Sequence, residues 1–448
     1  MVNPFDTQDA YRECLSIAGA LDDGFMELKR STPASSERDN HGLMIGCLIC
    51  KDRSGNTVKL KSVSGVSYTL SPIDGISDPE SIYVEPVVSP KLIEEALSKN
   101  DREIHLLTSY INNQKSLGKK DVEAIKKRNT LCNESLDKVY SLYSFYCADG
   151  CRRSLKEIMQ ITNKGQLPPT GTGECCEIKM LNYAFAHSLN PVSMAEIFYT
   201  KGCSDHNPPL ISPCDDRCAL LLPIMLGLRI IYRDSDIIIV NKQSGLLSVP
   251  GRGIEKSDCI ESRVKRLFPD TIKQPAVHRL DMETSGLLIL AFNKEAHRNL
   301  NMQFMNGQVQ KKYIAVLDGV LAKEGIKKEG ILELYFRLDI DNRPHQIWDD
   351  VYGKKSITQW KILDVERYES PDGTIRHATR VLFIPHTGRT HQLRLASADN
   401  HGFGVPIIGD SLYGKCMEKE RLLLHSSYIR FTHPVTGKVM EFNCPPDF

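Results

Sequence analysis

Residues 278–292 constrain the fold of this chain more than any other stretch. The tetrapeptide His-Arg-Leu-Asp at 278–281 and the turn-prone residues 282–286 lead directly into the apolar run 287–292. An amphipathic helix is predicted to follow over 294–305. A carboxylate in a turn at the edge of a buried strand is held rigidly, as a reacting group must be. We therefore interpret Asp281 as a catalytic residue, the alternative being an aspartate that closes a turn and pairs with a surface arginine.

Length and composition indicate a globular protein of two or three domains. A chain of 448 residues exceeds an ordinary single domain, and 41% hydrophobic with 25% charged residues is typical of a protein folded in water. The net charge of +1 is unevenly spread, with −4 over residues 1–220 and +5 over residues 221–448. A basic half that carries a candidate site is compatible with a polyanionic partner.

The cysteines and the start of the chain predict a cytoplasmic protein. Eleven of the 14 cysteines precede residue 220, and no secretory signal pattern opens the sequence. We therefore expect thiols or metal ligands rather than disulfides. The longest apolar run, 218–231, is too short to cross a bilayer, so no membrane association is expected.

Changes of pattern divide the chain into four segments. We predict an N-terminal extension with short strands over 1–90, a helical connector bridging two globular parts over 91–160, a Cys-rich segment over 161–225, and the domain carrying the candidate site over 226–448. Many short strands with few helices predict an α+β fold with a mixed, largely antiparallel sheet for this last domain. A separate α/β region is expected to precede it.

The Cys-rich segment contains the ligand types of a zinc site. Cys175, Cys176, Cys214 and Cys218 are its candidate ligands. With Glu177 beside them, they also resemble the metal and carboxylate pair of a zinc-dependent deaminase, although no His-x-Glu is present. We favour buried thiols and keep zinc binding and an N-terminal deaminase-like activity as alternatives. No metal is expected in the second half.

Four separated pieces of the second half supply complementary chemical groups. They are Arg279 with Asp281; Lys311, Lys312 and Tyr313 at the start of a strand; the donor-rich stretch containing Arg389, His391 and Arg394; and the segment 406–425, which ends with Leu422 and Leu424 in an Arg-Leu-Leu-Leu-His run.

Together these pieces resemble the successive motifs of a known family. HRLDMETSG, KKYIAV, TGRTHQLR, PIIGDSLYG and RLLLH, in this order, are similar to the motifs of the RluA-type pseudouridine synthases over about residues 226–448. The resemblance implies the pseudouridine synthase fold and the isomerisation of uridine to pseudouridine in structured RNA, without a cofactor. GLLSVPGR at 245–252 resembles the branch that modifies position thirty-two of the tRNA anticodon stem-loop and a hairpin of 23S rRNA. These RNAs are the expected partners, and protein partners stay open.

The resemblance also implies roles for individual residues. Asp281 would act on the ribose as nucleophile or base, Arg389 would pair with it, and Tyr313 would stack on the base and take the C5 proton. The expected RNA contacts are Arg279, Lys311, Lys312, His391 and Arg394, and the expected walls of the uracil pocket are Leu422 and Leu424.

A catalytically silent RNA-binding or assembly protein is the competing reading of the second half. Such a protein has no reason to keep Asp281, Tyr313 and Arg389 together. We therefore favour the enzyme.

Overall fold

The computed structural model describes residues 2–31, 42–73, 78–201, 208–253, 256–321 and 327–448. It divides into two compact units, Met1–Arg229 and Ile230–Phe448. Among the described residues, no helix combines the length and the apolar character that crossing a membrane requires.

The first unit contains six helices and nine strands among its described residues. In chain order they are α1 Gln8–Asp22, β1 Met26–Arg30, β2 Leu43–Lys51, β3 Thr57–Val63, β4 Tyr68–Pro72, β5 Ser81–Tyr83, α2 Pro90–Ser116, α3 Val122–Ser141, β6 Ser144–Tyr146, β7 Arg152–Ser154, α4 Leu155–Thr162, α5 Cys176–Ala186, β8 Asn190–Tyr199, β9 Leu210–Ile211 and α6 Cys218–Leu226.

One five-stranded sheet organises the first unit, in the order β5-β3-β2-β8-β9. Strand β2 pairs antiparallel with both β3 and β8. Helix α1 covers the sheet because Cys14 and Ile17 pack in one buried cluster with Cys47 and Ala195. Segments 1–90 and 161–225, expected to be separate, therefore contribute strands to a single sheet.

Helices α2 and α3 pack against each other and begin at well-formed caps. The Ser89 hydroxyl accepts the N–H of Leu92, with Pro90 at the first helical turn, and Asp121 accepts the N–H of Ala124. Both helices lie within the first compact unit. The expected connector between two globular parts is thus a helical hairpin of one of them.

The second unit carries a ten-stranded sheet and three helices among its described residues. Its elements are β10 Arg229–Arg233, β11 Ile237–Lys242, α7 Ile260–Leu267, β12 Ser285–Ala291, α8 Lys294–Met305, β13 Gln310–Leu317, β14 Glu329–Leu338, β15 Gln346–Trp348, β16 Lys354–Glu369, β17 Ile375–Pro385, α9 Gln392–Ala398, β18 Leu424–Thr432 and β19 Val439–Asn443.

The sheet runs in the order β10-β11-β12-β18-β13-β17-β16-β14-β15, with β19 on β18. Strands β12 and β18 pair in parallel, whereas β13, for example, pairs antiparallel with β17 and β18. The predicted α+β fold with a mixed, largely antiparallel sheet is confirmed. At the parallel contact, Gly286 has a φ of +114° opposite Ser426, and a Cβ would collide with the Ser426 backbone. Only glycine therefore fits there.

Two buried clusters support the sheet on either side of this contact. One includes Ile237, Leu287 and Leu300, and the other includes Val381 and Leu424. All seven residues of β12 are buried. Residues 278–284, which precede β12, are therefore anchored to a fully buried strand.

Candidate active site

A single cavity of about 600 Å³ collects residues from all four sequence pieces. Asp281, Tyr313, Arg389 and Leu424 line it together. Its volume falls within the range of about 300–1,000 Å³ that is typical of small-ligand sites. The sheet thus brings to one place groups that lie up to 143 positions apart in the chain (424 − 281).

The backbone on both sides of Asp281 is fixed by buried side chains. The Ser248 hydroxyl accepts the N–H of Leu280 at 3.0 Å and donates to its carbonyl oxygen at 2.8 Å. The Lys242 ammonium, which has no solvent exposure, donates to Met282 O at 2.8 Å and to the carbonyl oxygens of Leu246 and Gln243. Burial lowers the pKa of Lys242 to about 7, while the charge of Asp281 opposes that shift. The backbone is therefore held by hydrogen bonds at the residue before Asp281 and at the residue after it.

The basic side chain nearest to the Asp281 carboxylate is His391, not Arg389. Its Nε2 lies 3.9 Å from Asp281 Oδ1, and its Nδ1 lies 2.8 Å from the Tyr413 hydroxyl. Because that hydroxyl already accepts the N–H of Gln346 at 2.7 Å, its own proton is free to point at Nδ1. Burial lowers the pKa of His391. This arrangement favours a neutral imidazole beside the Asp281 carboxylate.

His391 adopts a left-handed backbone conformation, with a φ of +53°. Such a conformation is uncommon for a residue other than glycine and clusters at functional sites. The neighbouring turn is held by Gln392, whose amide oxygen accepts the N–H of Arg389 and the hydroxyl of Thr387. Hydrogen bonds in the turn that precedes α9 therefore stabilise the left-handed backbone of His391.

The expected ion pair between Asp281 and Arg389 is not formed. Arg389 is exposed at the cavity wall, and its Nε donates to the Lys355 carbonyl oxygen at 3.1 Å. Tyr313 is partly buried beside the Asp281 charge, and burial raises its pKa to about 12. At neutral pH Tyr313 is therefore a phenol, which suits stacking and hydrogen-bond donation better than accepting a proton.

The candidate RNA contacts divide into two groups. Arg279 is exposed and Lys311 partly buried, and both line the cavity. Lys312 lies outside the cavity lining, with its ammonium 4.5 Å above the ring of Tyr428. The alternation of side chains along β13 explains the difference, because neighbouring residues of a strand face opposite sides.

The guanidinium of Arg394 is paired with carboxylates of the protein itself. The residue is 2% exposed, and its guanidinium bonds Asp410 through Nε at 2.9 Å and Nη2 at 2.6 Å, and Glu283 through Nη2 at 2.9 Å. These two carboxylates neutralise Arg394, which also lines the cavity, so its contacts have a structural explanation while its expected role in RNA binding stays a prediction. Likewise Leu422 is buried in the core away from the cavity lining, whereas Leu424 reaches it.

The sequence reasoning missed several residues that shape the site. Ser248 lies in the GLLSVPGR motif, and Asp410 and Tyr413 lie in the PIIGDSLYG motif, but none of the three was assigned a role, and Lys242 was not singled out. Ser248, which lies between Leu247 and Val249, was the available signal, because a polar group that is buried with apolar neighbours requires a partner.

We expect His278 to contribute to the pH dependence of the free energy of unfolding. Its Nε2 accepts the N–H of Ile289 at 3.0 Å, and burial lowers its pKa to about 3. Below about pH 6.5 the unfolded chain binds a proton at His278 that the folded chain does not bind. Each unit by which the pH falls between about 6.5 and 3 therefore lowers the free energy of unfolding by about 1.4 kcal/mol. Urea unfolding of His278→Gln between pH 7 and 5 should show a shallower slope than the parent protein.

Exposed His377 provides the matched control for this measurement. His377→Gln should leave the slope unchanged. An unchanged slope in His278→Gln would contradict the assigned neutral state.

Three of the four candidate zinc ligands converge in the first unit. The sulfur atoms of Cys175, Cys214 and Cys218 lie within 4.8 Å of one another. Cys176 is buried and donates to the Met44 carbonyl oxygen at 3.3 Å, so it is not part of this group.

Comparison with known proteins gives consistent matches to the second half. Residues 236–399 match the family model described as RNA pseudouridylate synthase. The chain is 40% identical over 229 residues to the dual-specificity RNA pseudouridine synthase RluA of Haemophilus influenzae, covering 50% of this chain and 96% of that protein. The corresponding Escherichia coli protein is 38% identical over 222 residues, covering 49% and 93%. Among solved structures, human RNA pseudouridylate synthase domain containing 1 aligns with 27% identity and a TM-score of 0.40, covering 49% of this chain and 84% of that one.

Proposed function

The chain belongs to the RluA-type family of RNA pseudouridine synthases, and from this premise we propose that Asp281, Tyr313 and Arg389 convert a flipped-out uridine in a tRNA anticodon stem-loop, a 23S rRNA hairpin or both. The observation that carries the proposal is the convergence of Asp281, Tyr313 and Leu424 in one cavity. We also place the reaction in the cytoplasm, where the free thiols of the described cysteines remain reduced.

The chemistry needs one carboxylate and a shaped cavity. The C1′–N1 bond of uridine breaks with its electron pair left on the base, the base turns within the site, and C1′ joins C5. The proton of C5 then passes to water in the cavity, and N1 of the base takes up a proton, so that the base is isomerised without loss of atoms. Asp281 either attacks C1′ or removes the C2′ proton. Both routes require a carboxylate at a fixed position, and the clamps of Ser248 and Lys242 on either side supply that position.

Arg389 is proposed to act only when RNA is bound. Its guanidinium is exposed, and one bond to a backbone carbonyl holds it at the cavity wall. A phosphate or the ribose entering the cavity would draw it toward Asp281, since catalytic contacts often tighten only in the complex. Arg279, also exposed at the wall, is proposed to fill the space that the flipped base leaves in the RNA.

Substitution of Lys311 should weaken RNA binding more than substitution of Lys312. Lys311 lines the cavity, whereas Lys312 lies over Tyr428. Lys311→Ala is expected to weaken binding roughly tenfold at low salt and to reduce the slope of log K against log salt by about one. Lys312→Ala is the matched control from the same strand. Equal losses in both variants would contradict the assignment of Lys311 to the RNA surface.

The proposed substrates can be tested with defined RNAs. Transcripts of the anticodon stem-loop and of a 23S rRNA hairpin, each carrying C5-tritiated uridine, should release tritium when incubated with the purified chain. Mapping of pseudouridines in cells that lack the protein should show the same positions unmodified. Release from an unrelated RNA alone would overturn the proposed substrates and leave the family assignment intact.

A further inference from the structure

The cysteine group in the first unit has the local structure of a metal-binding site. Cys175 immediately precedes α5 and Cys218 is the first residue of α6, so two of the thiols lie at helix N-termini. Cys214 Sγ accepts the backbone N–H groups of Arg217 and Cys218, each at 3.4 Å. Helix N-termini and backbone donors both stabilise a negatively charged sulfur.

Glu177 provides an independent observation at the same place. It has no solvent exposure, and neither of its carboxylate oxygens has a hydrogen-bond partner among the described residues. Burial raises the pKa of Glu177, and the neighbouring Glu196, Cys175 and Cys214 raise it further. The buried cation of the same helix, Lys179, donates instead to the carbonyl oxygens of Val63 and Gly65. A buried carboxylate without donors is costly, and a cation or a metal-bound water would satisfy it.

We propose that Cys175, Cys214 and Cys218 bind Zn²⁺, that a water molecule facing Glu177 completes the tetrahedron, and that this site removes the amino group of a nucleobase by hydrolysis. Three soft thiolates favour zinc over magnesium or calcium. On tetrahedral zinc the sulfur atoms would lie about 3.8 Å apart, which is compatible with a group whose sulfur atoms are all within 4.8 Å of one another. Glu177 is not part of the group whose ligand atoms all lie within 4.8 Å of one another, so we assign it to the water rather than to the metal.

The donor set is the one that zinc deaminases use. These enzymes hold zinc by one histidine and two cysteines or by three cysteines, and a glutamate that is not a ligand moves the protons. Here Cys175 takes the position of the histidine in the His-x-Glu pattern of these enzymes, Glu177 follows two residues later, and Pro213 precedes Cys214. The spacing between Cys214 and Cys218 is one residue longer than in the usual pattern.

The proposed reaction balances without a redox partner. Glu177 takes a proton from the zinc-bound water, and the resulting hydroxide attacks the ring carbon that carries the amino group, forming a C–O bond. Glu177 then returns the proton, and the C–N bond breaks as ammonia leaves. A keto group replaces the amine. Because Cys214 is exposed, the metal site is accessible from solvent.

Zinc content of the full-length protein is the first test. The parent protein and Cys151→Ser, which alters an exposed cysteine outside the group, should each contain about one zinc ion by mass spectrometry. Cys214→Ser and Cys218→Ser should contain almost none, and Glu177→Gln should retain it. Because Cys214 is exposed, its variant reports on zinc even if the Cys218 variant fails to fold. A parent protein without zinc, or with a disulfide among these three cysteines, would overturn the proposal.

Ammonia release is the second test. Cytidine and adenosine, free and within RNA oligonucleotides, are incubated with the zinc-loaded protein, and the products are identified by mass. At least one should lose its amino group, and Glu177→Gln should slow this by at least about a hundredfold while keeping its zinc. Zinc without turnover of any of these substrates would refute the hydrolytic role. Neither result depends on pseudouridine formation in the second unit.

Discussion

An Asp281→Asn variant should lose pseudouridine formation by roughly four orders of magnitude or more, because the loss of a reacting carboxylate costs this much in comparable enzymes. The amide keeps the size and the hydrogen-bond acceptor that face His391 Nε2, 3.9 Å away in the parent structure. It can neither attack C1′ nor remove a proton from C2′. Tritium release from C5-tritiated uridine measures the loss directly.

RNA affinity should survive the same substitution within about threefold, since the phosphate contacts that dominate affinity involve other residues. Asp372→Asn, in an exposed turn of the same unit, is the matched control and should retain full activity. Full activity in Asp281→Asn would exclude the proposed mechanism. Loss of both binding and activity would instead indicate a damaged fold.

The fold of the second half was largely predictable because its patterns are local. The helix predicted over 294–305 is α8, Lys294–Met305, whose cap is the Asn293 side chain accepting the N–H of Ala296. The strand predicted after the catalytic turn is β12. Amphipathic spacing and capping are properties of adjacent residues, so a sequence reveals them.

The organisation of the first half was not predictable in the same way. Strand β2 pairs with β8 across more than a hundred residues, and the α2–α3 hairpin lies between them in the chain. Nothing in a single sequence encodes which strands pair at such separations. Pattern changes at Lys91 and near residue 160 were therefore interpreted as domain boundaries, although they only mark the edges of an insertion into one unit.

Within the site, the sequence indicated which residues meet but not how they pair. Asp281, Tyr313 and Arg389 do line one cavity. The partners of each charge depend on side-chain directions at distant backbone positions. His391 thus lies beside Asp281, and Arg394 turns away from solvent toward Asp410. A motif dense in donors predicts a charged surface, whereas the structure leaves Arg389 exposed at the cavity wall and buries Arg394 against two carboxylates.

Arg394→Met should destabilise the second unit by about 3–5 kcal/mol, because breaking one partner of a buried ion pair leaves an uncompensated charge. Arg394 and Asp410 are 2% and 0% exposed. Asp410 also accepts the N–H groups of Leu412 and Tyr413. Glu283, the third member, accepts the Ser411 hydroxyl at 2.6 Å. The network therefore joins α9 and the turn at 410–413 to the loop that carries Asp281.

Calorimetry of the full chain can resolve this effect, because two compact units allow two transitions. The matched control is Arg430→Met, which removes an exposed pair with Glu441 at 3.2 Å and should cost at most about 1 kcal/mol. In the double variant Arg394→Met/Asp410→Asn the losses should be less than additive, because the second change removes the charge that the first one exposed. Full additivity would show that the two residues act independently. Since Glu283 lies two positions after Asp281, the Arg394 variant should also lose activity at temperatures where it remains folded.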